Sequence, residues 1–121
     1  MKKEIIKIIK ESIELKNQVI LDDLLLSNLH SSIIIITEAI LAGKKILFCG
    51  NGGSAADAMH ITGELVGKFY KDRKSLNVTC LNTNSIVISA WSNDFSYESV
   101  FARQVQAHAV SGGMCWGIST S

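Results

Sequence analysis

The sequence predicts an α/β fold: an N-terminal helical arm followed by βαβ units of a parallel sheet with three strands. Three observations carry that prediction. Short apolar runs bounded by charge or glycine recur as "KKILFCG" (44–50), "LNVTCLN" (76–82) and "GMCWGIS" (113–119), the pattern of buried strands. Segments of helical character lie between them, and strands that alternate with helices form parallel sheets. The first run passes straight into Gly50-Asn51-Gly52-Gly53-Ser54, a glycine-rich connection that opens a helix.

The elements follow in order. Ile5, Ile8, Ile9 and Ile13 recur three to four residues apart, so the chain starts with a helix. A second apolar-periodic stretch runs from about 24 to 41 and ends before Gly43, a C′ residue, although the β-branched run at 33–37 weakens helix propensity. The first strand is expected at 45–49, a helix from Ser54 to about Phe69, and the second strand at 76–82. Residues 86–91 and 97–110 read as helical pieces, and 113–119 as the third strand. A chain of 121 residues builds one core, so the arm (1–43) and the α/β part (44–121) are read as one domain. There is no internal repeat or low-complexity tract, and no proline.

Composition narrows the function classes. Charged residues make up 19% of the chain and the net charge is +1, which gives no electrostatic case for nucleic acid or an anionic membrane as partner. Lys2, Lys3, Lys7 and Lys10 are interleaved with Glu4, Glu11 and Glu14, the pattern of a solvated helix face. No secretory leader is recognisable, and no segment is expected to reach the ~20 apolar residues that cross a bilayer. The longest candidate, "SSIIIITEAILAG", is interrupted by Thr37 and Glu38. Cys49, Cys80 and Cys115 are odd in number, lack C-x-x-C spacing and sit in or beside strand-like runs, so free reduced thiols in a cytoplasmic protein are expected. A positive mean hydropathy points to apolar surface covered by further copies of the chain.

Three motifs could carry chemistry. The glycine loop sits at the carboxyl end of a parallel strand, where ligands bind, with a helix N-terminus aimed back at it. It is equally a tight βα turn with Ser54 as N-cap and Asp57 completing a capping box. It matches neither the G-x-G-x-x-G nor the P-loop pattern. His60 and Glu64 are four apart on one helix face, with Asp57 on much the same side. Such a pair can hold a metal or move protons, or be no more than a surface ion pair. Gly63 and Gly67 flank the glutamate, at ~1 kcal/mol each against alanine, which suggests close approach by something else. Ser92-Asn93-Asp94, between two helical pieces, is a good turn and N-cap sequence or a source of an amide and a carboxylate for sugar hydroxyls. "GISTS" (117–121) places three hydroxyl residues after a strand, where they can wrap a phosphate.

"CGNGGSAADAMH", "ND" at 93–94, "VFARQVQA" and "GISTS" together resemble the sugar-isomerase (SIS) domain and, within it, the phosphoheptose isomerases. The resemblance runs from about Ile46 onward and implies a flavodoxin-like SIS sheet. It implies ketose–aldose isomerisation of sedoheptulose 7-phosphate through an enediol, towards heptose for lipopolysaccharide or capsule. By position, Glu64 would be the base and, with His60, a zinc ligand. Asn51, Gly52, Gly53, Ser54, Asn93 and Asp94 would contact substrate, and Ser119, Thr120 and Ser121 would hold the phosphate. Homotetramers with sites between subunits are implied as well. The family pattern continues past S-T-S with a glutamine and a histidine that complete the metal and proton-transfer groups, and has aspartate where Gly113 stands. The chain therefore resembles half of an isomerase site, with an uncovered sheet edge expected to self-associate. Relatives of the same fold imply two alternatives: a non-catalytic tetramer that binds the replication initiator DnaA, or a module that binds a phosphosugar without turning it over.

Overall fold

The computed structural model describes residues 1–120, which fall into two compact units, Met1–Ile36 and the residues from Thr37 onward. The first holds α1 (Lys2–Leu21) and most of α2 (Asp23–Leu41). The break between these helices is made by Asp22. Its backbone leaves helical geometry at ψ 90°, and its carboxylate accepts the Leu25 N–H at 2.9 Å, so it N-caps α2. Every residue of α1 is exposed, including the isoleucines that predicted the helix.

Helix α2 corrects one expectation. Thr37 and Glu38 do not interrupt it; it is a single 19-residue helix of mean hydropathy 1.7, long and apolar enough by those measures to cross a membrane. It ends as Gly43 predicts. Gly43 takes φ +66°, its N–H reaches Ile40 O at 3.0 Å, and Lys44 N–H reaches Ala39 O at 2.8 Å, the paired bonds of a Schellman motif.

The second unit is a parallel three-stranded sheet in the order β2-β1-β3, as the alternation of apolar runs and helices requires. Its elements are β1 (Ile46–Gly50), α3 (Gly53–Val66), β2 (Val78–Cys80), α4 (Ser85–Asp94), a 3-10 turn (Tyr97–Ser99), α5 (Val100–His108) and β3 (Met114–Ile118). β1 is the middle strand and is buried throughout. Ile46, Leu47, Leu81 and Val100 are the largest fully buried side chains. Leu47, Cys49 and Leu81 form a cluster against Phe101 and Val105 of α5. Phe48, one residue out of phase, stacks on Trp116 of β3 with ring centroids 5.9 Å apart.

Local chemistry explains the boundaries. β2 has three residues rather than the whole run 76–82, because the chain turns at Asn82 and Thr83, whose hydroxyl donates to Cys80 O at 2.9 Å. α3 stops at Val66, short of Phe69, because Gly67 leaves helical geometry. α4 runs further than 86–91 and absorbs Ser92-Asn93-Asp94 as its last turn, where a linker between helical pieces was expected. Gly113 has a backbone reason: a Cβ there would lie 2.7 Å from Lys45 O. All three cysteines are free, but only Cys49 and Cys80 are buried, while Cys115 on β3 is exposed. Burial pushes the Cys49 thiol up to about 11, and the neighbouring Cys115 and Cys80 add to the shift.

Candidate functional site

The glycine loop leaves β1 at Gly50, and each of its first glycines has its own task. A Cβ on Gly50 would sit 2.6 Å from Ser54 O, so only glycine lets α3 fold back this closely on the strand. Gly52 takes φ +55° and occupies the N-cap position, leaving Ala55 N–H and Ala56 N–H to its own carbonyl at 3.1 and 3.4 Å. Gly53 faces open space. Ser54 is therefore not the N-cap, and no capping box with Asp57 forms. Ser54 lies one residue inside the helix, is buried, and donates its backbone N–H to Asn51 O at 3.0 Å. The loop remains a helix N-terminus at the carboxyl edge of a parallel sheet, an arrangement suited to an anion.

The parallel register sets the hydroxyl motif beside that loop. Gly50 pairs with Ile118, so Asn51 and Ser119 leave neighbouring strands at the same end of the sheet. Ser119 and Thr120 follow β3 directly; Ser121 lies outside the described residues. This juxtaposition of GNGGS with the Ser/Thr segment is what a phosphate site needs, with backbone N–H groups on one side and hydroxyls on the other.

His60 and Glu64 lie further along α3. His60 Nε2 and Glu64 Oε1 are 3.7 Å apart, with the imidazole side chain 77% exposed and the carboxylate side chain 35% exposed. The predicted pairing is present, and it sits at the protein surface. Among the described residues no group of three or more His, Cys, Asp or Glu could hold a metal, so Asp57 does not complete a site. A zinc ion takes four ligands. The described residues supply two and do not by themselves make a zinc site. A Cβ on Gly63 would meet nothing within 4 Å, so the close approach inferred from its presence is not made by the described residues; Gly67 is explained by helix termination.

Asn93 and Asp94 stand together at the end of α4, the amide donating to the carboxylate at 3.0 Å. Asp94 lines a cleft of about 490 Å³ between α4 and α5 with Trp91, Arg103 and Gln104, and among the described residues no other predicted site residue lines it. The Arg103 guanidinium lies 4.7 Å from the centre of the Trp91 ring.

Three supporting residues escape sequence reasoning. Tyr97 OH donates to Asn51 Oδ1, tying the 3-10 turn to the loop across 46 residues of sequence. Asn82 clamps the backbone of Gly50. Arg73 donates to Glu64 O at 3.0 Å and Leu65 O at 2.9 Å, capping the C-terminal carbonyls of α3 just where Glu64 sits. No local pattern announces these contacts, which join residues distant in sequence or loop to helix.

A parallel sheet with a glycine loop and a helix N-terminus at its carboxyl edge, beside a Ser/Thr segment, defines the class of anion-binding α/β domains. Residues 7–121 match the SIS domain family, and the chain belongs to it. Within that class the similarity is to phosphoheptose isomerases. The chain is 54% identical over 93 residues to that of Crocosphaera subtropica, covering 77% of this chain and 47% of the relative. It is 45% identical over 113 residues to that of Clostridium acetobutylicum, covering 93% and 58%. The structure superposes on phosphoheptose isomerase GmhA from Neisseria gonorrhoeae with a TM-score of 0.86 at 32% identity, covering 99% of this chain and 61% of that one. A phosphoheptose isomerase from Francisella tularensis gives 0.88 at 27% identity, covering 98% and 61%. The chain thus spans about half the length of the curated relatives it matches.

Proposed function

We propose that this chain supplies a large part of the active site of a cytoplasmic phosphoheptose isomerase, acting on sedoheptulose 7-phosphate in heptose synthesis for lipopolysaccharide or capsule. The observation that supports the reading is the pairing of Gly50 with Ile118, which sets the glycine loop and Ser119-Thr120 side by side, where a phosphate would meet both backbone N–H groups and hydroxyls. Asn51, Gly52, Gly53 and Ser54 would take the loop side of the substrate, Ser119, Thr120 and Ser121 the phosphate, and Asn93 and Asp94 the sugar hydroxyls.

Glu64 is the proposed base. Its carboxylate removes a proton from C1, the C–H electrons become the C1=C2 bond of an enediol, and the C2 oxygen gains a proton. Return of a proton to C2 and loss of the O1 proton give the aldose with no net redox change. His60 and Glu64 are proposed as two ligands of a zinc ion whose remaining donors come from outside the described residues. When bound, zinc would polarise the substrate carbonyl.

Helix geometry supports a site shared between copies. Glu64 lies eleven residues beyond Gly53, about 16 Å along α3. An extended heptose 7-phosphate spans roughly 10 Å from C1 to phosphorus at the rise per bond of an extended chain. A sugar phosphate held at the loop of one copy would reach Glu64 of another in the homotetramer that the family resemblance implies.

The test is isomerisation of sedoheptulose 7-phosphate in the presence of zinc, wild type against Glu64→Gln. Loss of the base should lower turnover at least about a hundredfold with the fold intact; turnover retained by the variant would remove Glu64 from the role. The alternative reading is a SIS protein that binds a phosphosugar or DnaA without catalysis. Binding of either with no product formed from a folded wild type would select it.

A further inference from the structure

The carboxyl end of β1 outruns its neighbour. β1 and β2 pair only from Ile46↔Val78 to Phe48↔Cys80, and the last backbone bond between them runs from Leu81 N–H to Phe48 O at 2.8 Å. Residues 46, 48 and 50 of β1 turn their peptide groups toward β2. Gly50 is thus the next residue whose N–H and C=O need partners on that side, after β2 has turned away.

The side chain of Asn82 fills the gap. Gly50 N–H donates to Asn82 Oδ1 at 3.1 Å, and Asn82 Nδ2 donates to Gly50 O at 2.7 Å. One carboxamide thereby replaces the peptide group that a longer β2 would have offered. The amide orientation is fixed by chemistry, because its reverse would set donor against donor and acceptor against acceptor. The buried Cys80 thiol adds a weak bond to the same Oδ1 at 3.7 Å. A Cβ on Gly50 would lie 2.6 Å from Ser54 O, so the strand end and the first turn of α3 approach closely here, and displacements of Gly50 are passed into that turn.

We propose that Asn82 is a positioning residue for the phosphosugar loop, holding Gly50 so that Asn51–Gly53 and the N–H groups opening α3 keep a ligand-ready geometry. It touches no ligand itself. The proposal rests on the functional reading above for its ligand, and on the structure alone for its geometry.

The test compares wild type, Asn82→Ala and Thr83→Ala in the whole chain. Thr83→Ala removes a bond in the same turn without reaching Gly50. Two quantities are read: the Kd for sedoheptulose 7-phosphate, and amide hydrogen exchange by residue. Asn82→Ala should weaken binding about tenfold or more and speed exchange at 50–55, while the Leu47 and Leu81 amides keep their wild-type rates. Thr83→Ala should match wild type in both. If Asn82→Ala folds poorly, Asn82→Asp, which keeps the acceptor and loses the donor, should give the same pattern. Wild-type affinity in a folded Asn82 variant, or equal loss in Thr83→Ala, would overturn the proposal. If the wild-type chain binds no sedoheptulose 7-phosphate, the functional reading falls. Exchange at 50–55 then decides the clamp: faster in Asn82→Ala upholds it, unchanged overturns it.

Discussion

β1 and β3 are alike in sequence and opposite in setting. Each is a five-residue, mostly apolar strand, and they pair residue for residue from Ile46↔Met114 to Gly50↔Ile118. Yet all of β1 is buried, while the middle of β3 (Cys115, Trp116 and Gly117) is exposed. β1 has a strand on each side; among the described residues β3 pairs with β1 alone. Phe48 is 4% exposed, and Trp116, stacked on it, is 38% exposed. Apolar character thus records that a strand is meant to be covered, and position in the sheet decides whether this chain covers it.

Paired substitutions test that contrast. The largest difference is expected at Leu47 and its register partner Cys115. Leu47→Ala empties a fully buried site and should cost about 2–5 kcal/mol, whereas Cys115→Ala should stay within about 0.5 kcal/mol, both read by denaturant unfolding. Equal losses would show that β3 is as deeply packed as β1. Next come the strand glycines. Gly50→Ala forces a Cβ against Ser54 O and should cost about 1–3 kcal/mol, while Gly117, with nothing within 4 Å, should accept alanine at almost no cost. The smallest effect is chemical. Alkylation of the folded chain at mildly alkaline pH should label Cys115 and spare Cys49 until unfolding, because Cys49 is buried with its thiol pushed up to about 11. The folded state holds that proton more tightly than the unfolded chain does. Cys49 therefore contributes stability that is lost as pH rises from the ordinary thiol value toward about 11; early labelling of Cys49 would contradict its burial.

Much of this was legible from local signals. The apolar runs gave three strands, the isoleucine spacing gave α1, and Gly43 marked the end of α2 by the one conformation that glycine adopts freely. The i,i+4 spacing of His60 and Glu64 placed them together. What was not legible depends on distant partners. Ser54 looked like a cap, but the close approach of α3 to Gly50 buries it and hands the N-cap position to Gly52. Asn93 and Asp94 looked like a turn, yet α4 carries them, its N-cap made by Asn84 through a 3.1 Å bond to Val87 N–H. The Asn82 clamp spans 32 residues, and no periodicity reports it.

The central claim is that a phosphosugar binds where β1 and β3 end together. The measurement that tests it most directly is a titration of sedoheptulose 7-phosphate into isotope-labelled chain, followed by amide chemical shifts. The account predicts the largest changes at Asn51–Ser54 and at Ile118–Thr120, with the α4–α5 cleft around Trp91 and Arg103 changing little. Shifts centred on that cleft, or none at the loop of a folded chain, would contradict it.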